Sequence, residues 1–207
     1  TKLLDFYSSK PQLDRFVKVL NNPKIADPKF NPNASMDVPL IRFSRKTYDH
    51  HYVNGKPQSW NHLQFDSHGL FLLVVADALS SKILEPSEIS QSAFECLVLL
   101  PAFLKVTNYT QRGDAGPWEE ELLNNSSTIG LIASGLKHVY QVIDQSPELK
   151  ERLKQALHRF ENHYKQPKLR LQILLEQFSD SLNISLGKLP IYEQIVNNLL
   201  TNNVKCV

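Results

Sequence analysis

The apolar positions of this chain recur mostly at helical spacing. In residues 10–22 (KPQLDRFVKVLNN), Leu13, Phe16, Val17 and Leu20 fall at i, i+3, i+4, i+7, and Pro11 sits at the start. That pattern predicts a short amphipathic helix, stopped by Asn21-Asn22-Pro23. Residues 23–39 are rich in proline and asparagine and read as loop. Pro39 to Phe43 is predicted as a short strand, and a polar loop with an Asn54-Gly55 turn signal follows.

Beyond residue 60 the pattern is wholly helical. A helix is predicted over 69–84, capped by Asp66 or Ser67 and apolar on most sides, so it should be buried. Another is predicted over about 87–105, opened by Pro86 and kinked at Pro101. A polar loop with Gly113, Gly116 and Pro117 precedes a helix to about Asp144, capped by Ser126 or Ser127. Pro147, Pro167 and Pro190 then separate three further helices, the first with Leu149, Leu153, Leu157 and Phe160 on one face. Six or seven helices in pairs of similar length suit stacked hairpins, either a solenoid or an α/α toroid.

Composition narrows the function. The 207 residues suit one domain, and 23 basic against 21 acidic side chains leave a net charge of +2. Neither nucleic acid nor a membrane surface is expected as a partner on charge grounds. The longest apolar run, Leu70 to Ala76, is far below the roughly 20 residues that span a bilayer. The two cysteines, Cys96 and Cys206, do not suggest a disulfide framework. With no signal peptide or targeting arm, they set the expectation of a cytoplasmic protein. The chain begins at Thr1, so a fragment or a processed product is also expected.

Two segments carry candidate chemistry. In 111–127 (QRGDAGPWEEELLNNSS), Glu119, Glu120 and Glu121 follow Trp118. They read as acids favoured by a helix start, or as a general acid whose proton is retained beside an aromatic wall. In 59–69 (SWNHLQFDSHG), Trp60 offers a flat apolar face, and Asn61, Gln64 and Asp66 offer hydrogen-bond partners. Sugars need that pairing; a helix cap beside a core tryptophan is the plainer reading. His50, His51, His62 and His68 lack metal-ligand spacing, so no metal or other cofactor is expected. Asp114 reads as the ion-pair partner of Arg112.

Together the two segments resemble the glucoamylase-type glycoside hydrolases (family 15) and the related region of the phosphorylase kinase α and β subunits. Trp60-Asn61-His62-Leu63-Gln64-Phe65-Asp66 is similar to the family's W-G-x-x-Q-x-D, with Asn61 in place of glycine. Gly116-Pro117-Trp118-Glu119-Glu120 resembles its G-[IV]-W-E-x or D-L-W-E-E. The resemblance covers residues 36–145. It implies an all-α (α/α)6 toroid, incomplete in this chain, with a short β-excursion around 39–60. The whole of 1–207 is then one domain or a fragment of one.

By family role, Glu119 would protonate the glycosidic oxygen and Glu120 would bind substrate. Trp60 and Trp118 would wall the pocket, and Gln64 and Asp66 would support its floor. The partner implied is an α-glucan or oligosaccharide. Inverting hydrolysis needs a second carboxylate about 6.5–9.5 Å from the acid, and no match for that base is found in this chain. The family's early Arg-Asp motif also has no counterpart. The alternatives are a non-catalytic regulatory or glucan-binding domain of the phosphorylase kinase type, and a plain helical scaffold. An incomplete toroid would expose apolar helix faces, which predicts a homo-oligomer or contact with the missing part of the domain.

Overall fold

The computed structural model describes residues 2–116 and 121–164. The predicted helices beyond Pro167 and the side chains of Trp118, Glu119 and Glu120 lie outside the described residues.

The protein is all-α. Helices α1 (Lys2–Tyr7), α2 (Lys10–Asn21) and the short α3 (Ala34–Asp37) precede a two-stranded hairpin, β1 (Tyr52–Val53) and β2 (Lys56–Pro57). Then come α4 (Phe65–Ser80), α5 (Gln91–Val106), α6 (Ser126–Gln145) and α7 (Pro147–Tyr164). Helix α1 breaks no sequence rule but is too short to show a period; its Leu4, Phe6 and Tyr7 are all buried.

The central element is α5. Every residue from Cys96 to Leu104 is buried, Pro101 included. Ser90 caps it: the Ala93 N–H donates to Ser90 Oγ at 3.2 Å. The start therefore falls four residues later than predicted. Pro86–Glu88 instead form a separate 3-10 turn, in which Glu88 Oε2 accepts the Glu85 N–H at 2.8 Å.

Neighbours alternate along the chain. Helix α5 packs against α2 and α7, and α4 packs most extensively against α6. The α4–α6 crossing is set by two glycines. A Cβ on Gly69 would lie 2.7 Å from the Ile132 backbone nitrogen, and one on Gly135 would lie 2.6 Å from the Gly69 carbonyl oxygen. Only a missing side chain on both helices lets their backbones meet. On the far side of α4, Leu70 and Val74 are 51% and 45% exposed, so this helix is not buried all round as its composition predicts.

Residues 39–43 are not a strand. The Leu40 N–H donates to Gln12 Oε1 at 2.8 Å, and the Leu40 carbonyl accepts from Gln12 Nε2 at 2.7 Å. The Ile41 N–H donates to His62 Nδ1 at 3.2 Å. Side chains thus take the groups that a ladder would have used. The β-structure sits later, around Asn54-Gly55, whose φ values of 52° and 73° make the tight turn.

Candidate functional site

The two segments singled out in the sequence meet at the head of α4. The Ala115 N–H donates to the Leu63 carbonyl at 2.8 Å, and the Phe65 N–H donates to Asp114 Oδ2 at 3.1 Å. Asp114 and Leu123 form an antiparallel bridge, with N–H···O distances of 2.9 and 3.0 Å. That bridge ties residue 114 to residue 123, just ahead of α6.

Asp114 is the organising residue. It is buried, and four groups donate to its carboxylate. Oδ2 accepts from the Phe65 N–H, from the Gly116 N–H at 3.2 Å and from Thr128 Oγ1 at 3.2 Å; Oδ1 accepts from Asn125 Nδ2 at 2.9 Å. Burial raises its pKa, and these donors oppose the rise. Gly116 is confined beside it, with φ of 59° and the Asn125 amide 2.8 Å from any added Cβ.

The ion pair predicted between Asp114 and Arg112 does not form. Arg112 pairs with Asp27 at 2.9 Å and donates to the Ala26 carbonyl at 2.9 Å. Asp114 instead ties the loop to the starts of α4 and α6. Nor do Asp66 or Ser67 cap α4: Gln64 occupies the cap position with no side-chain bond to the helix, and the Phe65 amide is satisfied by Asp114. Asn125 precedes α6, and its amide is given to Asp114 rather than to the helix. From sequence Asp114 reads only as a loop ion-pair partner; its place between Gly113 and Gly116 is the one local feature that sets it apart from the other carboxylates.

Flanking Phe65, Gln64 Nε2 and Asp66 Oδ1 are buried polar atoms with no hydrogen-bond partner among the described residues, as are Asn124 Oδ1 and, elsewhere, Trp60 Nε1. Buried polar atoms are rarely left so. Burial first, and then the charge of Asp114, hold the Asp66 carboxyl above the usual carboxylate range. Asp114 has its acceptor capacity filled; Asp66 keeps an oxygen open. Of the two, Asp66 is the one with an unsatisfied oxygen, and that oxygen is buried.

Trp60 stands apart from that pair. Arg42 covers one face of its indole, 4.2 Å from the ring centroid. Together with His50, His51, Gln58 and His62 they line a recess of about 10 Å³, room for one water. The Trp60 N–H donates to Met36 Sδ at 3.4 Å, and Asn61 Oδ1 accepts the Leu63 N–H at 3.1 Å. Asn61 therefore makes a local Asx turn.

The histidines divide into two settings. His62 is buried with its ring 5.7 Å from that of His50, and burial, then His50 and Arg15, push its pKa down to about 3. His68 lies in the core, where it shares a hydrogen bond of 3.1 Å with the Tyr7 hydroxyl, and burial pushes its pKa down to about 3. No group of three or more His, Cys, Asp or Glu among the described residues is placed to hold a metal ion.

No protein-family model matches the chain, and no solved structure does. Among curated proteins, the uncharacterized lipoprotein YgeQ of Escherichia coli (strain K12) is 30% identical over 110 residues. The match covers 52% of this chain and 40% of that protein. The expectation of a cytoplasmic location is corrected by this likeness, since the matched protein is a lipoprotein. No helix among the described residues is long and apolar enough to cross a membrane.

Proposed function

We propose that the chain is the acid-bearing, glucan-binding part of a domain similar to the glucoamylase-type glycoside hydrolases, acting on α-glucosidic bonds. In this reading Glu119 is the general acid and Glu120 binds substrate. Gln64 and Asp66 form the floor, and Trp60 and Trp118 the walls. Water activation belongs to a carboxylate in the rest of an (α/α)6 toroid. The likeness to a lipoprotein supports a lipid-anchored parent.

The observation that carries the reading is the joining of the two motif segments through Asp114, with Asp66 Oδ1 and Gln64 Nε2 left unpaired beside the joint. Two motifs whose joined residues, Phe65 and Asp114, are 49 positions apart had no local reason to touch. Where they touch, one acceptor and one donor are buried without a partner, the pair that a sugar hydroxyl reaching them would satisfy. The alternation of neighbours, α2–α5–α7 on one side and α4–α6 on the other, supports the toroid, whose hairpins build two concentric layers in this way. The open face at Leu70 and Val74 supports a missing part of the domain, or a second copy, packed there.

Titration with maltose, maltotriose and acarbose, followed by tryptophan fluorescence, tests the reading. Saturable quenching that is lost in Asp66→Ala is expected. No response from the folded chain overturns it and favours an assembly role. In the full-length parent, Glu119→Gln should lower turnover by about 10²-fold or more, and a rate within tenfold of the parent's removes Glu119 from the acid role.

A further inference from the structure

On α1 and the turn that follows Phe43, away from the Asp114 joint, lies a cavity of about 670 Å³ lined by Lys2, Leu3, Phe43, Arg45, Lys46 and Tyr48. Its volume is that of a small-molecule site, about 300–1,000 Å³. The floor is aromatic and continuous with the core. Phe43 lies flat on the fully buried Phe6, with ring centroids 3.3 Å apart and planes 8° apart, and Tyr48 is 6.2 Å from Phe43. Leu3 borders it with 42% of its surface exposed.

The wall is held by backbone bonds. The Ser44 N–H donates to the Asp49 carbonyl at 2.8 Å, and the Tyr48 N–H donates to the Ser44 carbonyl at 2.9 Å. Tyr48 adopts a φ of 55°, a left-handed conformation uncommon for an aromatic residue. Strain of this kind persists where surrounding structure fixes it, often on ligand-facing turns.

The rim has one sign. Lys2, Arg45 and Lys46 are exposed, no carboxylate lines the cavity, and none of the three forms an ion pair among the described residues. A floor of Phe43, Tyr48 and Leu3 has almost nothing to offer a sugar's hydroxyls. It suits an apolar body, and the three cations suit one anionic head. We propose that this cavity binds a monomeric anionic amphiphile, an acyl or aryl chain ending in a carboxylate or phosphate. The inference stands apart from the glucan reading and uses none of its residues.

The test is calorimetric titration of the chain with octyl phosphate and octanoate below their micelle concentrations, with 1-octanol as the neutral control. Saturable 1:1 binding of both anions is expected, with 1-octanol at least tenfold weaker. The double variant Arg45→Glu/Lys46→Glu should lose at least tenfold in affinity for the anions while keeping the far-ultraviolet circular dichroism of the parent. Leu3→Glu, at the exposed edge of the floor, should lose as much. Equal affinity for 1-octanol, unchanged affinity in the folded double variant, or no saturable binding of either anion overturns the proposal.

Discussion

The Asp114 carboxylate caps α4 from 49 residues away, accepting the Phe65 N–H at 3.1 Å. The same oxygen holds Gly116 and Thr128, and the other holds Asn125. Asp114→Ala therefore strands the Phe65 and Gly116 N–H groups and the Thr128 hydroxyl at once, while Asn125 Nδ2 keeps the Asp114 and Leu123 carbonyls. An expected loss of about 3–5 kcal/mol follows, since removing one side of a buried network leaves the other unpaired. Asp114→Asn retains an acceptor and should cost less. Urea denaturation of both variants checks this; a loss below about 1 kcal/mol for the alanine variant would show that water replaces the carboxylate.

Acid should destabilise the protein through His62 and His68. Both have pKa values near 3 in the fold, against an ordinary 6.5. Between those limits the unfolded chain binds more protons, so stability is full above about pH 6.5 and falls as pH drops toward 3. The slope is at most about 1.4 kcal/mol per pH unit for each histidine. Asp66 and Asp114 act with the opposite sign just above pH 4, because burial raises their pKa values and the fold retains their protons. The melting temperature should thus fall from pH 7 to pH 5. His62→Asn keeps an acceptor for the Ile41 N–H and should remove part of that fall. A flat profile from pH 7 to 5 contradicts the burial argument.

What could be read from sequence was whatever a local period or a local stop expresses. Helix α2 matches its prediction to within one residue and α7 begins at Pro147 as predicted, whereas α6 is preceded by Asn125 and not capped by Ser126 or Ser127. Long-range partners were not legible. The backbone of Leu40 looked like strand because nothing local says that Gln12 will take both its groups. Asp114 looked paired to Arg112 because they are near in sequence, whereas the fold brings Asp27 to Arg112. His68 looked like part of a polar cluster, but the helix turns it inward to Tyr7. At the candidate site, Gln64 and Asp66 were singled out from residue type; the Asp114 carboxylate that holds the Phe65 backbone between them was not.

Three glycines on two helices should respond in opposite ways. Gly69→Ala drives a methyl against the Ile132 backbone, where no side chain can move aside. Gly135→Ala meets the Gly69 carbonyl in the same manner. Each should cost about 1–3 kcal/mol or more. Gly130, also in α6, has nothing within 4 Å of an added Cβ. Gly130→Ala should stabilise by about 0.5–1 kcal/mol, through lost freedom of the unfolded chain. Thermal melts of the three variants suffice, and a stabilised Gly69→Ala would place the helix crossing elsewhere.

The final expectation concerns Asp66 as a ligand group. If its open Oδ1 accepts a sugar hydroxyl, binding needs the ionised carboxylate, because that form keeps both oxygens as acceptors. Burial and Asp114 raise the pKa, so the ionised fraction is already falling at pH values above the ordinary range near 4. Maltotriose affinity should accordingly decline as pH drops toward that range, while the far-ultraviolet signal is unchanged. Asp66→Asn should bind about tenfold more weakly at pH 7, since a bond to a charged acceptor is worth about 1.5–3 kcal/mol. Its affinity should also lose the pH dependence. That second readout separates a contact to sugar from mere support: a structural Asp66 would change the melting temperature and leave the shape of the binding profile as it was.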